Sequence, residues 1–361
     1  MFQLQNLIRP HLLTLTPYAS ARDEYSGKEG TFLDANENPY NPTPDAPTPV
    51  QVNRYPDPHQ VAIKEKLAPL KGVRPTQIFL GNGSDEPIDL LIRAFCEPKL
   101  DQILILPPTY GMYEVSAAIN GVGVQRVPLT ADFQMDVEAV LATVNAHTKI
   151  IWLCSPNNPS GNLLDRTAML RIIDSVDCLV VVDEAYTDFA PQASLLSGLD
   201  AHPNLVILQT FSKAWGLAGL RVGMAFAQEE LIGLLNKIKS PYNLNILTQS
   251  HLLKALDNGS EKDDMVRQIL TNRETLRAQL AALPLVECVY PSDSNQLLTK
   301  FTDSAAVFAY LLAHLVIVRD RSRVVRCENC LRITVGTVEE NARLLRLLVE
   351  FPVPEKLPIS V

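Results

Sequence analysis

No continuous apolar stretch in this chain is long enough to cross a bilayer. The longest, Ala305 to Val318, is interrupted by His314 and is shorter than the roughly 18 residues a spanning helix needs. It reads as a buried helix feeding a strand, Leu315-Val316-Ile317-Val318. The first residues, Met1-Phe2-Gln3-Leu4-Gln5, lack the basic start and apolar run of a secretory signal. Cysteine is scarce, and six in 361 residues are too few for a disulfide scaffold. Cys96, Cys154 and Cys178 lie in apolar surroundings expected to bury them as free thiols. A cytoplasmic location is the expectation. Basic charge is also in deficit: 32 Lys and Arg stand against 40 Asp and Glu, a formal net charge of −8. That balance argues against a nucleic-acid or membrane partner engaged through bulk charge.

None of the six histidines falls inside a motif, which counts against a Ser/His or Cys/His nucleophile and against a histidine metal site. The single Cys327-Glu328-Asn329-Cys330 pair has no second pair beside it, so no metal is expected.

What the chain does contain is an ordinary globular composition, 47% hydrophobic and 20% charged. Short β-rich runs alternate with stretches of helical period from Val73 onward. Strands are expected at Gln77–Leu80, Gln102–Leu106, Val122–Val127, Lys149–Cys154, Cys178–Asp183, Leu205–Gln209 and Val222–Phe226. Helices are expected at Asp85–Cys96, Asp136–Ala146, Asp165–Ser175, Glu230–Ile238, Leu244–Leu256 and Asp263–Leu283. Runs apolar throughout, such as Cys178-Leu179-Val180-Val181-Val182, indicate strands buried on both faces, hence a mostly parallel sheet wrapped by helices. A final segment with strands near Val286–Tyr290, Gln296–Phe301, Val316–Asp320 and Leu331–Val335 reads as a smaller α+β unit. The expected organisation is an N-terminal arm over 1–29, a large α/β domain over 30–258 and a small α+β domain over 259–361. The proline-dense stretch Asn38 to Pro58 can be neither helix nor central strand and reads as an extended wrap.

In open α/β sheets ligands sit at the carboxyl ends of strands, and four loops there are unusual. Gly81-Asn82-Gly83-Ser84-Asp85 joins a strand to a helix, and its glycines and the helix N-terminus suit either an anion or a plain capped turn. Ser155-Pro156-Asn157-Asn158-Pro159-Ser160-Gly161 fixes two asparagines between prolines. Val182-Asp183-Glu184-Ala185-Tyr186 places two acids at the end of a buried strand. A nucleotide hydrolase uses a similar pair, but it also needs a Gly-x-x-x-x-Gly-Lys-Ser/Thr loop. The one Gly-Lys pair here, Gly27-Lys28, continues with Glu29. Thr210-Phe211-Ser212-Lys213-Ala214-Trp215-Gly216 sets a lysine among hydroxyls and apolar residues, with Arg221 eight positions on. A lysine so placed can lose its proton and act as a nucleophile.

In order and spacing these motifs resemble the pyridoxal-phosphate (PLP) aminotransferases of fold type I. The histidinol-phosphate branch, in its proteobacterial form, resembles the chain most. Thr16-Pro17-Tyr18, Asn53-Arg54-Tyr55-Pro56-Asp57-Pro58, Pro107-Pro108-Thr109-Tyr110-Gly111-Met112-Tyr113 and Cys330-Leu331-Arg332-Ile333-Thr334-Val335-Gly336 extend the likeness over nearly the whole sequence. The resemblance implies that Lys213 holds PLP as a Schiff base and moves the substrate proton, that Asp183 pairs with the pyridine nitrogen, and that Tyr186 and Asn158 bind the phenolic oxygen. It implies Tyr110 stacked on the ring, and Ser84, Asp85, Ser212 and Arg221, helped by Thr210, around the cofactor phosphate. Tyr55 resembles a residue that reaches the cofactor of the neighbouring subunit, so a homodimer with shared active sites is implied.

Five arginines fall between positions 319 and 332. Arg321, Arg323 and Arg326 read as a solvated loop, whereas Arg319 and Arg332 end or lie in apolar runs. The resemblance gives Arg332 the carboxylate of the amino-acid partner and Arg319 the substrate phosphate, with Tyr18 and Tyr242, and more weakly Asn243, completing the pocket. The implied substrates are histidinol phosphate and the glutamate/2-oxoglutarate pair. Three alternatives remain open: an aromatic or broad-range aminotransferase, a PLP decarboxylase of a phosphorylated amino acid, and a non-catalytic PLP-binding regulator. For the last, the arm is too short and insufficiently basic to bind DNA.

Overall fold

The structure is a computed structural model and describes residues 2–17, 33, 35–40 and 50–352. Tyr18 and the rest of the expected arm beyond residue 17 lie outside the described residues.

Seven strands form one sheet: β1 (Ile78–Asn82), β2 (Gln102–Ile105), β3 (Gly123–Arg126), β4 (Thr148–Cys154), β5 (Leu179–Asp183), β6 (Leu205–Thr210) and β7 (Val222–Phe226). Their spatial order is β1-β7-β6-β5-β4-β2-β3. All neighbours from β3 to β6 pair parallel, while β7 runs antiparallel to both β6 and β1. The fully apolar strands have a direct explanation, because successive side chains point to opposite faces and both faces are covered. Leu179 and Val181 join one hydrophobic core with Trp152 and Leu208; Val180 and Val182 join the other with Leu153 and Ile207.

A second, antiparallel sheet has the order β10-β11-β9-β8, with β8 (Val286–Val289), β9 (Gln296–Phe301), β10 (Arg319–Asp320) and β11 (Cys330–Thr334). Its own core joins Leu297, Phe301, Leu331 and Ile333 to Leu276 and Leu280 of the 23-residue helix Gly259–Ala281 and to Leu344 and Leu348 of helix Val338–Glu350.

Two expectations need correction. The run Ala305–Val318 forms a helix, Ser304–Ala313, that buries only Ser304, Val307 and Leu311. The chain then turns at Leu315, whose φ is 58°, leaving Leu315 and Ile317 exposed, so the strand begins only at Arg319. Helix Val61–Lys71 was not foreseen: its N-cap Gln60 is left-handed with no side-chain cap, and Pro69 lies within it.

Candidate active site

Because β7 is reversed, its first residue lies at the same sheet edge as the last residues of β1, β4, β5 and β6. Across the ladders Asn82 faces Val222, Thr210 faces Gly223, and Cys154 faces Asp183. The β1 and β7 backbones approach so closely that a Cβ on Gly223 would sit 2.2 Å from Ser84 N. Arg221 reaches this edge with φ 52°, and its carbonyl accepts from Gly83 N at 2.9 Å. At Gly83, where φ is 68°, a Cβ would lie 2.5 Å from Arg221 Nη2. Only glycine leaves room for that guanidinium.

A cavity of about 350 Å³ opens at this edge, lined by Ser84, Asp85, Tyr110, Asn158, Asp183, Tyr186, Thr210, Ser212, Lys213, Arg221, Arg319, Arg321 and Arg332 among others. One end is built for an anion. Helix Asp85–Phe95 presents its first N–H groups, which have no partner within the helix. Arg221 Nη1 lies 3.5 Å from Ser212 Oγ, and Arg221 Nη2 lies 3.5 Å from Asp85 Oδ2. Thr210 supports Ser212, accepting from its backbone N at 3.1 Å and lying 3.0 Å from its hydroxyl.

The centre holds a buried acid and a lysine. Asp183 accepts from Tyr113 Oη at 2.6 Å and from Ala185 N at 3.0 Å, with no cationic partner among the described residues. Burial raises its carboxyl above the ordinary range, and the two hydrogen bonds oppose that rise. Tyr113 is itself locked by stacking on Trp152, ring centroids 4.7 Å apart. Lys213 extends into the cavity 5.4 Å from the Tyr186 ring centroid. Its side chain is open to the cavity yet crowded by the walls. Desolvation first, then Arg332 and Arg221, lower its pKa, while Asp183 pulls the other way. Tyr110 donates to Asp85 Oδ1 at 2.9 Å, and burial first, then Asp85, raise its pKa.

The far wall carries arginines. Arg332 Nη1 donates to Asn158 Oδ1 at 2.6 Å, while the buried Nε atoms of Arg332 and Arg321 have no acceptor among the described residues. Five cationic side chains face two carboxylates in this one cavity.

The aminotransferase class I and II family model matches residues 29–348. The chain belongs to that family. A histidinol-phosphate aminotransferase from Cytophaga hutchinsonii is 56% identical over 347 residues, covering 96% of this chain and 99% of that one. Among solved structures, a histidinol-phosphate aminotransferase from Sinorhizobium meliloti in complex with pyridoxal-5'-phosphate shares the fold with a TM-score of 0.77 at 24% identity, covering 83% of each chain. L-threonine-O-3-phosphate decarboxylase from Porphyromonas gingivalis does so with a TM-score of 0.68 at 25% identity, covering 82% of this chain and 93% of that one.

Of the residues singled out for this aminotransferase from sequence, twelve line this cavity: Ser84, Asp85, Tyr110, Asn158, Asp183, Tyr186, Thr210, Ser212, Lys213, Arg221, Arg319 and Arg332; Arg321, expected to be solvated, joins them. Tyr55 and Tyr242 do not line it. They stack on each other, centroids 4.5 Å apart, with Tyr55 half exposed. Glu37 fixes this pair's base by accepting from Arg54 Nη1 and Tyr55 N, each at 2.7 Å. Asn243 is turned away: its side chain donates to Leu80 O and Glu86 and accepts from Lys239. Tyr113 was missed as the partner of Asp183, although its aromatic motif had been noted. Cys327 and Cys330 are buried thiols in the turn that carries Arg321.

Proposed function

We propose that this chain is a PLP-dependent transaminase that interconverts L-histidinol phosphate and 2-oxoglutarate with imidazole-acetol phosphate and L-glutamate in histidine biosynthesis. The observation that carries the reading is the cavity itself. A lysine whose proton is loosened, a buried carboxylate lacking a cation, and an excess of arginines meet within about 350 Å³. Near-full-length identity to the Cytophaga histidinol-phosphate aminotransferase supports it.

The residues present fit PLP. Bound there, PLP supplies an electron sink for labilising the substrate's Cα proton. Arg221, Ser212 and the N–H groups of Ser84 and Asp85 hold its phosphate, where Gly83 leaves space that a Cβ would fill. Asp183 accepts the pyridine N–H in a low-dielectric setting, so its buried charge gains a partner. Tyr186 and Asn158 would bind the phenolic oxygen, and the Tyr186 hydroxyl has no hydrogen bond among the described residues. Tyr110 covers the ring face. Lys213, whose ammonium is held below its ordinary pKa chiefly by desolvation, would accept the Cα proton and return it.

Arg332, oriented by Asn158, takes the carboxylate of the amino-acid partner, and Arg319 takes the phosphate of histidinol phosphate, which carries about −1.5 to −2 at pH 7. Tyr18 and Tyr242 complete that subsite. Tyr55, stacked on Tyr242 outside this chain's cavity, would reach the cofactor phosphate of a second copy, making the working unit a homodimer with shared sites. The arm over 1–29, the PLP-binding domain over 30–258 and the small domain over 259–361 divide the labour, in the cytoplasm. Among rivals, a decarboxylase shares the fold but needs the carboxylate held for loss rather than by a fixed Arg332–Asn158 pair.

The test is turnover. Purified holoenzyme given histidinol phosphate and 2-oxoglutarate should form glutamate, and Lys213→Ala should form none. Undiminished turnover by Lys213→Ala would overturn the reading.

A further inference from the structure

Arg321 is unlike its sequence neighbours. Arg323 and Arg326 are exposed, whereas Arg321 lines the cavity beside Arg319 and Arg332. Its place is enforced by backbone. Arg321 N donates to Cys330 O at 3.0 Å, continuing the ladder in which Arg319 faces Arg332. The loop then closes through Val324 N to Arg321 O at 2.9 Å and Cys327 N to Val324 O at 3.0 Å. The fully buried Cys327 and Cys330 side chains pin that loop into the main core.

So positioned, the guanidinium is poorly satisfied. Its Nε is buried without an acceptor, and no carboxylate among the described residues pairs with it. Asp320, its neighbour in sequence, accepts from Ser322 N at 2.8 Å. Burial, Arg332 and Arg319 all act against its charge. A native protein rarely leaves a buried charged donor unmatched unless a ligand completes it.

We propose that Arg321 is a specificity-determining residue: with Arg319 it forms a two-guanidinium clamp for a dianionic distal phosphate, and its free Nε–H is the donor that an unphosphorylated substrate leaves unused. This rests on the transaminase reading above and adds a residue outside the motifs that carry the family resemblance. Arg319 alone supplies one fork. The second converts a site that accepts any anion into one that favours two negative charges, since paired charge-assisted bonds reward the doubly ionised group most.

The test compares wild-type holoenzyme with Arg321→Gln and Arg321→Lys in half-reactions with histidinol phosphate and with histidinol, the same amine lacking phosphate. Arg321→Gln should lose about 10- to 100-fold in kcat/KM for histidinol phosphate, carried by KM, and less than about threefold for histidinol. Arg321→Lys should recover part of the loss, and the absorbance of the bound cofactor should be unchanged in both variants. Equal losses on both amines would assign Arg321 a merely structural role, and no loss on histidinol phosphate would make it a solvated surface charge. Either result overturns the proposal. If wild type itself ignored histidinol phosphate, the transaminase substrate would be wrong, yet inorganic phosphate would still report on Arg321. Its inhibition constant against glutamate should rise about tenfold or more in Arg321→Gln, and an unchanged constant would overturn the clamp.

Discussion

Replacing Asp183 by Asn is expected to stabilise the cofactor-free protein and disable the enzyme. The carboxylate is buried at the end of β5 with two donors, Tyr113 Oη and Ala185 N, and no cation. Its folded-state pKa is raised by burial. A raised carboxyl pKa means that the folded state favours the protonated acid, so its stabilising contribution is present at low pH. That contribution is lost as pH rises from the ordinary value of 3.8 through the folded-state value. Asn has nearly the same shape, can still accept from Ala185 N, and carries no charge to desolvate. The variant stripped of cofactor should therefore gain about 1–2 kcal/mol at pH 8, within the range of single stabilising changes. The gain should shrink as pH falls toward 4. Activity should move the opposite way, because the pyridine nitrogen loses a buried charged partner. Removing one member of such a pair costs about 3–5 kcal/mol, or about 10²- to 10⁴-fold in kcat. Denaturant unfolding of cofactor-stripped proteins from pH 4 to 8, alongside single-turnover rates, measures both. A variant less stable than wild type at every pH would refute the reasoning, since Asp183 would then be a structural anchor rather than a charge waiting for a partner.

Further outcomes follow from other contacts. Tyr113→Phe keeps the stack on Trp152 but deletes the 2.6 Å bond to Asp183, so PLP affinity should fall about tenfold or more in equilibrium titration; unchanged affinity would detach Tyr113 from the site. Gly223→Ala would drive a Cβ to 2.2 Å from Ser84 N, so stability should drop by about 1–3 kcal/mol and the protein should purify poor in cofactor. Lys64 is buried, and desolvation together with Lys239 pushes its ammonium down to about 8 against the opposing pull of Asp57. The unfolded chain keeps that proton up to the ordinary 10.5, so stability rises with pH between those values. Lys64→Met should raise the thermal midpoint at pH 7, and the advantage should fade toward pH 10.5.

Much of this site was legible in the sequence because its residues sit at ends of strands that announce themselves. The stretches Ile150–Cys154 and Cys178–Val182 are apolar at every position, which only strands buried on both faces require, and β4 and β5 are such strands. Where they end, Asn158 and Asp183 follow. Local signals failed where tertiary pairing decides. Arg321 looks solvated because charged residues surround it in sequence, but the ladder to Cys330 turns it inward. Leu315 and Ile317 look buried because they are apolar, but the left-handed turn at Leu315 sends them outward. Helix Val61–Lys71 lacked a start signal, since Asp57 caps it from outside by accepting from Val61 N at 2.7 Å. Tyr55 and Tyr242 carry a family likeness, yet in this chain they stack on each other away from the cavity.

The central claim is that this cavity recognises a phosphorylated amine and removes its amino group, and a half-reaction measures that most directly. Holoenzyme mixed with histidinol phosphate, in the absence of any oxo acid, should shift from the pyridoxal to the pyridoxamine absorbance. The shift should be far more efficient than with phenylalanine or tyrosine. Equal or faster conversion by the aromatic amino acids would contradict the account.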